Sequence, residues 1–211
     1  MEESARYQFN FTAGSAMVQE SITVAESYME CGEDWEKAIQ HVDADNLLLK
    51  VKSASARRQL NLVVSRLKLL TKEQLNLLTT LPNTEKRLVV LLAVVKKHDI
   101  VADFITHTVR DKFYHFDLTL SYSDFNSFIR NIETEHPEVN EVSETTLKKI
   151  RQVIFKILEE TGLITSTNDG DIDKPYISTE LEHAIVSDNP RWLVCLLYSD
   201  DEMREAIERN K

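Results

Sequence analysis

Glycine and proline number only four each in 211 residues, and that scarcity constrains the fold more than any single motif. A many-stranded sandwich or barrel needs a turn signal every few residues, whereas helices joined by short loops need far fewer. The expectation is a mainly α, compact multi-helix globule. Apolar spacing and capping residues divide it into helices. One runs from about Ala16 to Glu30 and ends at Gly32, and a short one spans Asp34–Val42. A longer helix begins near Ser53 or Ser55, Thr71 with Gln74 opens the next, Asn83 caps another, and Asp99 starts one reaching about His115. Phe116 to Leu120 alternates like a short strand. Helices follow near Ser123–Glu135 and Ser143–Thr161, with Gly162 as the stop. Leu163 to Ile177, turning at Asn168-Asp169-Gly170, reads as a short β-hairpin. Thr179 with Glu182, and Ser199 with Glu202, open the last helices. A break near Phe116 to Tyr122 divides the chain into an N-terminal half, 1–116, and a C-terminal half, 117–211.

The longest apolar run, Leu88 to Val95, is eight residues long. A membrane span needs about 20, so the run is expected to be the buried face of a soluble helix. The polar start, Met1 to Asn10, predicts no secretory leader. Cys31 and Cys195 lie far apart and fit no CxxC pattern, which predicts a reduced, cytoplasmic compartment.

Net charge is −10, a balance that ordinarily argues against nucleic acid. The charge is segregated, however. Residues 1–45 hold ten acids against Arg6 and Lys37, and residues 180–208 hold eight more acids. Between Asn46 and Lys72 there is no acid but seven bases: Lys50, Lys52, Arg57, Arg58, Arg66, Lys68 and Lys72. A second acid-free window, Thr145–Leu158, carries Lys148, Lys149, Arg151 and Lys156. Plotted at 100° per residue, Ala56, Val63, Val64, Leu67 and Leu70 gather around Leu60. Arg58, Asn61, Ser65 and Lys68 fall opposite, with Arg57 and Arg66 on the flanks. Around Ile150 gather Leu147, Val153, Ile154, Ile157 and Leu158, while Lys148, Lys149, Gln152 and Lys156 point away. Phe155 lies off that apolar face, a position suited to packing against the hairpin or the other half of the chain. Each basic helix follows a short helix and a polar connector, the layout of a helix-turn-helix unit whose second helix enters the major groove. The hairpin after the second unit has the position of a wing. A solvated outer face is the ordinary meaning of such residues. Absence of acids over 27 residues of an acidic chain, and recurrence in both halves, favour nucleic acid.

Chemistry-bearing motifs are missing. Isolated glycines build neither a P-loop nor a dinucleotide fingerprint. The six histidines form no HExxH, and there is no GxSxG elbow. Glu133, Glu135, Glu138, Glu141 and Glu144 read as a solvated charge run. No catalytic residue, metal or cofactor is expected, and the chain is not expected to be an enzyme.

With these residues laid out, the sequence resembles the BrxA family, small accessory proteins of bacteriophage-exclusion (BREX) defence systems. The likeness runs through Tyr7-x-Phe9-x-Phe11-Thr12, Glu20-Ser21, Ala25, Tyr28 and Asn46-Leu47-Leu48. It continues through Ser53-Ala54-x-Ala56-Arg57-Arg58, Asp111-Lys112-Phe113, Ser143-x-x-Thr146-x-Lys148-Lys149-x-Arg151-Gln152-Val153 and Glu160-x-Gly162-Leu163. The resemblance implies a monomer with two helix-turn-helix elements that binds double-stranded DNA. It also implies partners of methyltransferase and ATPase type, with Arg57, Arg58, Lys148, Lys149 and Arg151 facing DNA. Two other readings stay open: a protein–protein adaptor using the acidic ends and an exposed Phe155, and an RNA-binding helical protein of antitermination-factor type.

Overall fold

Side-chain oxygens of Asp34, Thr71, Ser143, Ser178 and Ser199 cap the helices that follow them, whereas Asn83, expected as a cap, is the first residue of its helix behind an uncapped Pro82. The computed structural model describes residues 6–48 and 54–210. Helix α1 (Val18–Glu30) is followed by α2 (Trp35–Ala44), where the Asp34 carboxylate accepts from the Glu36 and Lys37 amides at 3.0 and 3.2 Å. Helix α3 covers Ala54–Leu67. Helix α4 (Lys72–Thr80) opens on the reciprocal Thr71–Gln74 box, and α5 spans Asn83–Lys97. The expected helix from Asp99 is built as α6 (Asp99–Phe104), a π-helical turn (Ile105–Val109) and α7 (Arg110–Tyr114). Strand β1 (Thr119–Leu120) leads into α8 (Tyr122–Ile132), then a 3-10 turn (Pro137–Glu141) and α9 (Glu144–Thr161). Helix α9 starts on Ser143 and stops at Gly162, whose φ of 85° suits glycine.

The hairpin expected at Leu163 to Ile177 forms in its first part. Ile164 bridges Ile172, and β2 (Gly170–Asp171) pairs antiparallel with β1, Thr119 against Asp171 and Leu120 against Gly170. A Cβ on Gly170 would stand 2.1 Å from the Ser166 carbonyl oxygen, so the tight tip requires glycine. Helix α10 (Thr179–Asp188) is capped one residue earlier than the sequence suggests, by Ser178, which Glu85 holds through its amide and hydroxyl at 2.9 and 2.6 Å. A 3-10 helix (Pro190–Leu196) that the sequence reading does not separate precedes α11 (Asp200–Arg209), which opens on the Ser199–Glu202 box.

Helix α5 is the axis of the molecule. Leu88 to Val95 is buried on every side, not on one face as expected, because α3, α4, α6, α9 and the Pro190–Leu196 helix all pack on it. One hydrophobic core continues across residues 116 and 117. Phe155 is fully buried, contrary to the exposed position suggested for an adaptor. Its ring lies 6.0 Å from Phe104 and 4.8 Å from Tyr122, and Phe104 also meets Phe125 and Phe128. An all-aromatic filler of this size rescues a position that α9's own periodicity leaves unpaired.

The N-terminal arm is part of this core. Phe11 is buried, the Tyr7 ring stacks on His136 at 3.8 Å, and the Tyr7 hydroxyl donates to Asp103 at 2.6 Å. The Tyr7 amide donates to Glu138 at 2.7 Å, which takes Glu138 out of the supposed solvated run. Among the described residues no helix is long and apolar enough to cross a membrane.

Candidate nucleic-acid interface

Helix α9 presents the outer face that its period predicts. Ile150, Val153, Ile154, Ile157 and Leu158 are buried, while Lys148, Lys149, Gln152 and Lys156 are exposed. Two of these cations have acidic neighbours on their own helix: Lys148 meets Glu144 at 2.7 Å and Lys156 meets Glu159 at 2.5 Å. The Glu159 carboxylate accordingly raises the Lys156 pKa and is itself lowered. Such exposed pairs are weak and exchange readily for a phosphate. Lys149 has no ion pair among the described residues.

Arg151 stands apart. Its guanidinium lies over the Tyr122 ring at 4.4 Å and donates to the Asn126 side chain at 2.9 Å, so it ties α9 to α8. It is half-buried, and its Nε has no partner. Arg151 thus joins two helices, while Lys148, Lys149, Gln152 and Lys156 are exposed.

On α3 fewer of the expected cations are available. Lys50 and Lys52 lie outside the described residues. Arg57 is exposed but bonded to Asp43 at 3.0 Å. Lys68 sits 5.9 Å from the Trp35 ring centre, and Ser65 Oγ donates back to the Leu62 carbonyl at 2.8 Å. Arg58 and Asn61 are exposed, and Arg58 has no ion pair among the described residues.

Arg66 corrects the expectation most sharply, being 1% exposed. Helix α3 packs against both α1 and α5, so the flank that a helical projection assigns to solvent is covered. Its Nε donates to His98 Nε2 at 3.1 Å and its Nη1 to the Ser15 carbonyl at 2.6 Å, while Nη2 is left without a partner. Burial lowers the Arg66 pKa to about 10, with Glu160 acting in the opposite sense, so the group stays charged near neutrality. Burial, then Arg66 and Lys97, push His98 down to about 3, which leaves a neutral ring able to accept from Arg66.

Glu160, at the end of α9, reaches the same segment from the other side. Its carboxylate accepts from Ser15 Oγ at 2.8 Å, the Ala16 amide at 2.9 Å and the Met17 amide at 3.4 Å. These amides lie just before Val18, the first residue of α1, so Glu160 anchors the lead-in segment and sets a negative charge near the helix's positive end. Ser15–Met17 is thus held between α3 and α9. Beside it runs a cleft of about 590 Å³ of mixed charge, lined by Arg87 and Lys156 but also by Glu20, Glu159 and Glu160, with Gln59 of α3 at its edge. A second groove of about 440 Å³, lined by Thr12–Ser15, Lys149, Gln152 and Thr167 of the hairpin tip, shares Gly14, Ser15 and Lys156 with it. Sequence reasoning names Glu160 and Thr12 only within the family resemblance and misses Arg87 and the Ala13–Ser15 segment, because the contact to Glu160 is made across about 145 residues.

No group of three or more His, Cys, Asp or Glu suited to a metal ion is found among the described residues. Cys195 is buried and its thiol is pushed up to about 12, which makes it an inert core residue.

Comparison with known proteins places this architecture. The chain is 23% identical over 191 residues to the BREX protein BrxA of Paramagnetospirillum magneticum, covering 90% of this chain and 94% of that one. It is 22% identical over 171 residues to the BREX protein BrxA of Escherichia coli, covering 80% and 79% of the two chains. The crystal structure of an uncharacterized protein from Magnetospirillum magneticum superposes with a TM-score of 0.77 at 21% identity, covering 92% of this chain and 98% of that one. The BrxA family profile matches residues 5–189. A match over that span means that the chain belongs to the BrxA family.

Proposed function

We propose that this chain is a non-enzymatic, double-stranded DNA-binding accessory protein of a BREX bacteriophage-defence system, acting as a cytoplasmic monomer. The defence role follows the name that its relatives carry. The observation that carries DNA binding is the order of elements around α9. A helical run ends in α7, then come β1, α8, α9 and a hairpin whose return strand pairs with β1. That is the order of a winged helix-turn-helix, with α9 as the second helix and the Ser166–Asp169 tip as the wing. In such a unit the exposed face of α9 meets the groove. Lys149 and Lys156 supply phosphate contacts and Gln152 a forked donor–acceptor for a base edge. Helices α2 and α3 form the second helix-turn-helix-like unit, with Arg58 and Asn61 at its outer face.

The test is a salt-titrated binding curve with random-sequence duplex DNA, in competition with duplex RNA and single strands. Duplex DNA should bind best, with log affinity falling linearly against log salt by about 0.9 for each phosphate neutralised. Equal competition by duplex RNA would turn the reading to RNA. A flat salt dependence would exclude both. An adaptor role loses its apolar anchor with Phe155 buried. Partner capture that survives nuclease treatment would restore it.

A further inference from the structure

The groove between α9 and the hairpin tip has a third wall, the Thr12–Ser15 turn of the N-terminal arm. We propose that this groove seats a backbone phosphate of the duplex, so that the arm is part of the DNA-binding surface. The proposal rests on the DNA-binding reading above. With α9 in a major groove, the DNA strand that flanks the helix on its hairpin side has to pass over this groove.

Three observations carry it. The first is the lining. Thr12, Ser15, Lys149, Gln152, Lys156 and Thr167 bring ammonium groups, hydroxyls and a carboxamide together, and no carboxylate is among the lining residues. Those are the side-chain donors that phosphate oxygens take. The second is that the negative groups nearby are engaged elsewhere. Glu159 and Glu160 line the adjoining cleft, which shares Gly14, Ser15 and Lys156 with the groove. Glu159 is paired with Lys156 at 2.5 Å, and Glu160 accepts from Ser15 and Ala16. Two carbonyls of the turn are taken up by α3, where Gln59 donates to Ala13 at 3.3 Å and Arg66 to Ser15 at 2.6 Å. The third is that the turn is fixed at both ends. Phe11 is fully buried ahead of it, and Glu160 and Arg66 hold Ser15 behind it. A wall set in advance adds little ordering cost on binding.

The test compares two substitutions on the arm, each in the full chain, for affinity toward random-sequence duplex at physiological salt. Ala13→Glu puts a carboxylate on the wall of the groove, whereas Gln8→Glu adds the same charge to an exposed part of the arm ahead of Phe11. Ala13→Glu should bind about tenfold weaker at an unchanged melting temperature. Gln8→Glu, more remote and screened over about 8 Å, should stay within about twofold of the wild type. Equal losses from both, or no loss from Ala13→Glu, overturn the proposal. A wild-type chain that binds no duplex overturns the DNA-binding reading instead. The amide resonances of Thr12, Ala13 and Gly14 in the wild-type chain separate the sources of phosphate and do not depend on a variant folding. They should shift when duplex is added. A shift with inorganic phosphate but none with duplex overturns the proposal, because the groove then serves a free ion.

Discussion

Helices α3 and α9 look alike as sequences, each amphipathic and each basic on the outside, yet they hold their charges differently. Helix α9 keeps four exposed polar residues on one face, framed by a hairpin and backed by an aromatic core. Helix α3 gives Arg57 to Asp43, Lys68 to Trp35 and Arg66 to the interior. The difference lies in how many neighbours each helix has. Wedged between α1 and α5, α3 turns Arg66 into an internal fastener, whereas α9 commits only the half-buried Arg151, to Tyr122 and Asn126. Counting bases therefore overstates the exposed positive charge of α3 more than that of α9.

The comparison breaks most readily at the aromatic support of α9. Phe155→Ala removes a ring packed between Phe104 and Tyr122 and should cost about 3–5 kcal/mol in urea denaturation. A cost below about 1 kcal/mol would mean that α9 is held by something else.

A buried Arg66–His98 hydrogen bond helps to fasten α3, and pH tests it. His98 has a folded pKa of about 3, below its unfolded value near 6.5. The unfolded chain binds the extra proton in that window, so His98's contribution is complete above about pH 6.5 and is lost as pH falls toward 3. Between pH 6.5 and pH 4.5 that loss is about 2–3 kcal/mol. His98→Gln, which keeps an acceptor for Arg66, should show a correspondingly shallower acid slope in chemical denaturation. Identical slopes would show that His98 does not titrate on unfolding.

Binding sharpens the same contrast. Lys149→Glu on the framed face should weaken duplex binding about tenfold, close to 1.4 kcal/mol. Arg58→Glu on the barer face should weaken it by about threefold, near 0.6 kcal/mol. The reverse ranking in anisotropy titrations would make α3 the leading reader.

The smallest effect is expected at the foot of the hairpin. Phe116 is 90% exposed with a left-handed φ of 59°. Phe116→Gly loses no packing and relieves that strain, so stability should rise by up to about 1 kcal/mol. A fall in melting temperature would show that the ring is packed after all.

How much of this could be read beforehand depends on the range of the interaction. Caps, periods and the hairpin turn act within a few residues, so Asp34, Thr71, Ser143, Gly162 and Gly170 announced their elements. The outer face of α9 was legible for the same reason. Burial of Arg66 was not, because it is decided by α1 and α5 arriving on a flank that α3's own period leaves polar. Phe155 followed the same rule in the opposite sense. Its partners Phe104 and Tyr122 come from other helices, and no pattern within α9 names them.

The arm that begins the chain is fastened by residues near its other end. The Tyr7 amide waits for Glu138, and Ser15 and Ala16 wait for Glu160, about 130 to 145 positions later. On a ribosome adding about 5–20 residues each second, that delay is roughly 7–30 s. Until then Tyr7 lacks His136 and Glu138, and the segment leading into α1 lacks the carboxylate that holds it. The segment ahead of α1 is thus secured only once α9 has been made. Nascent chains stalled before Glu160 should expose it to protease, while chains released beyond Gly162 should protect it.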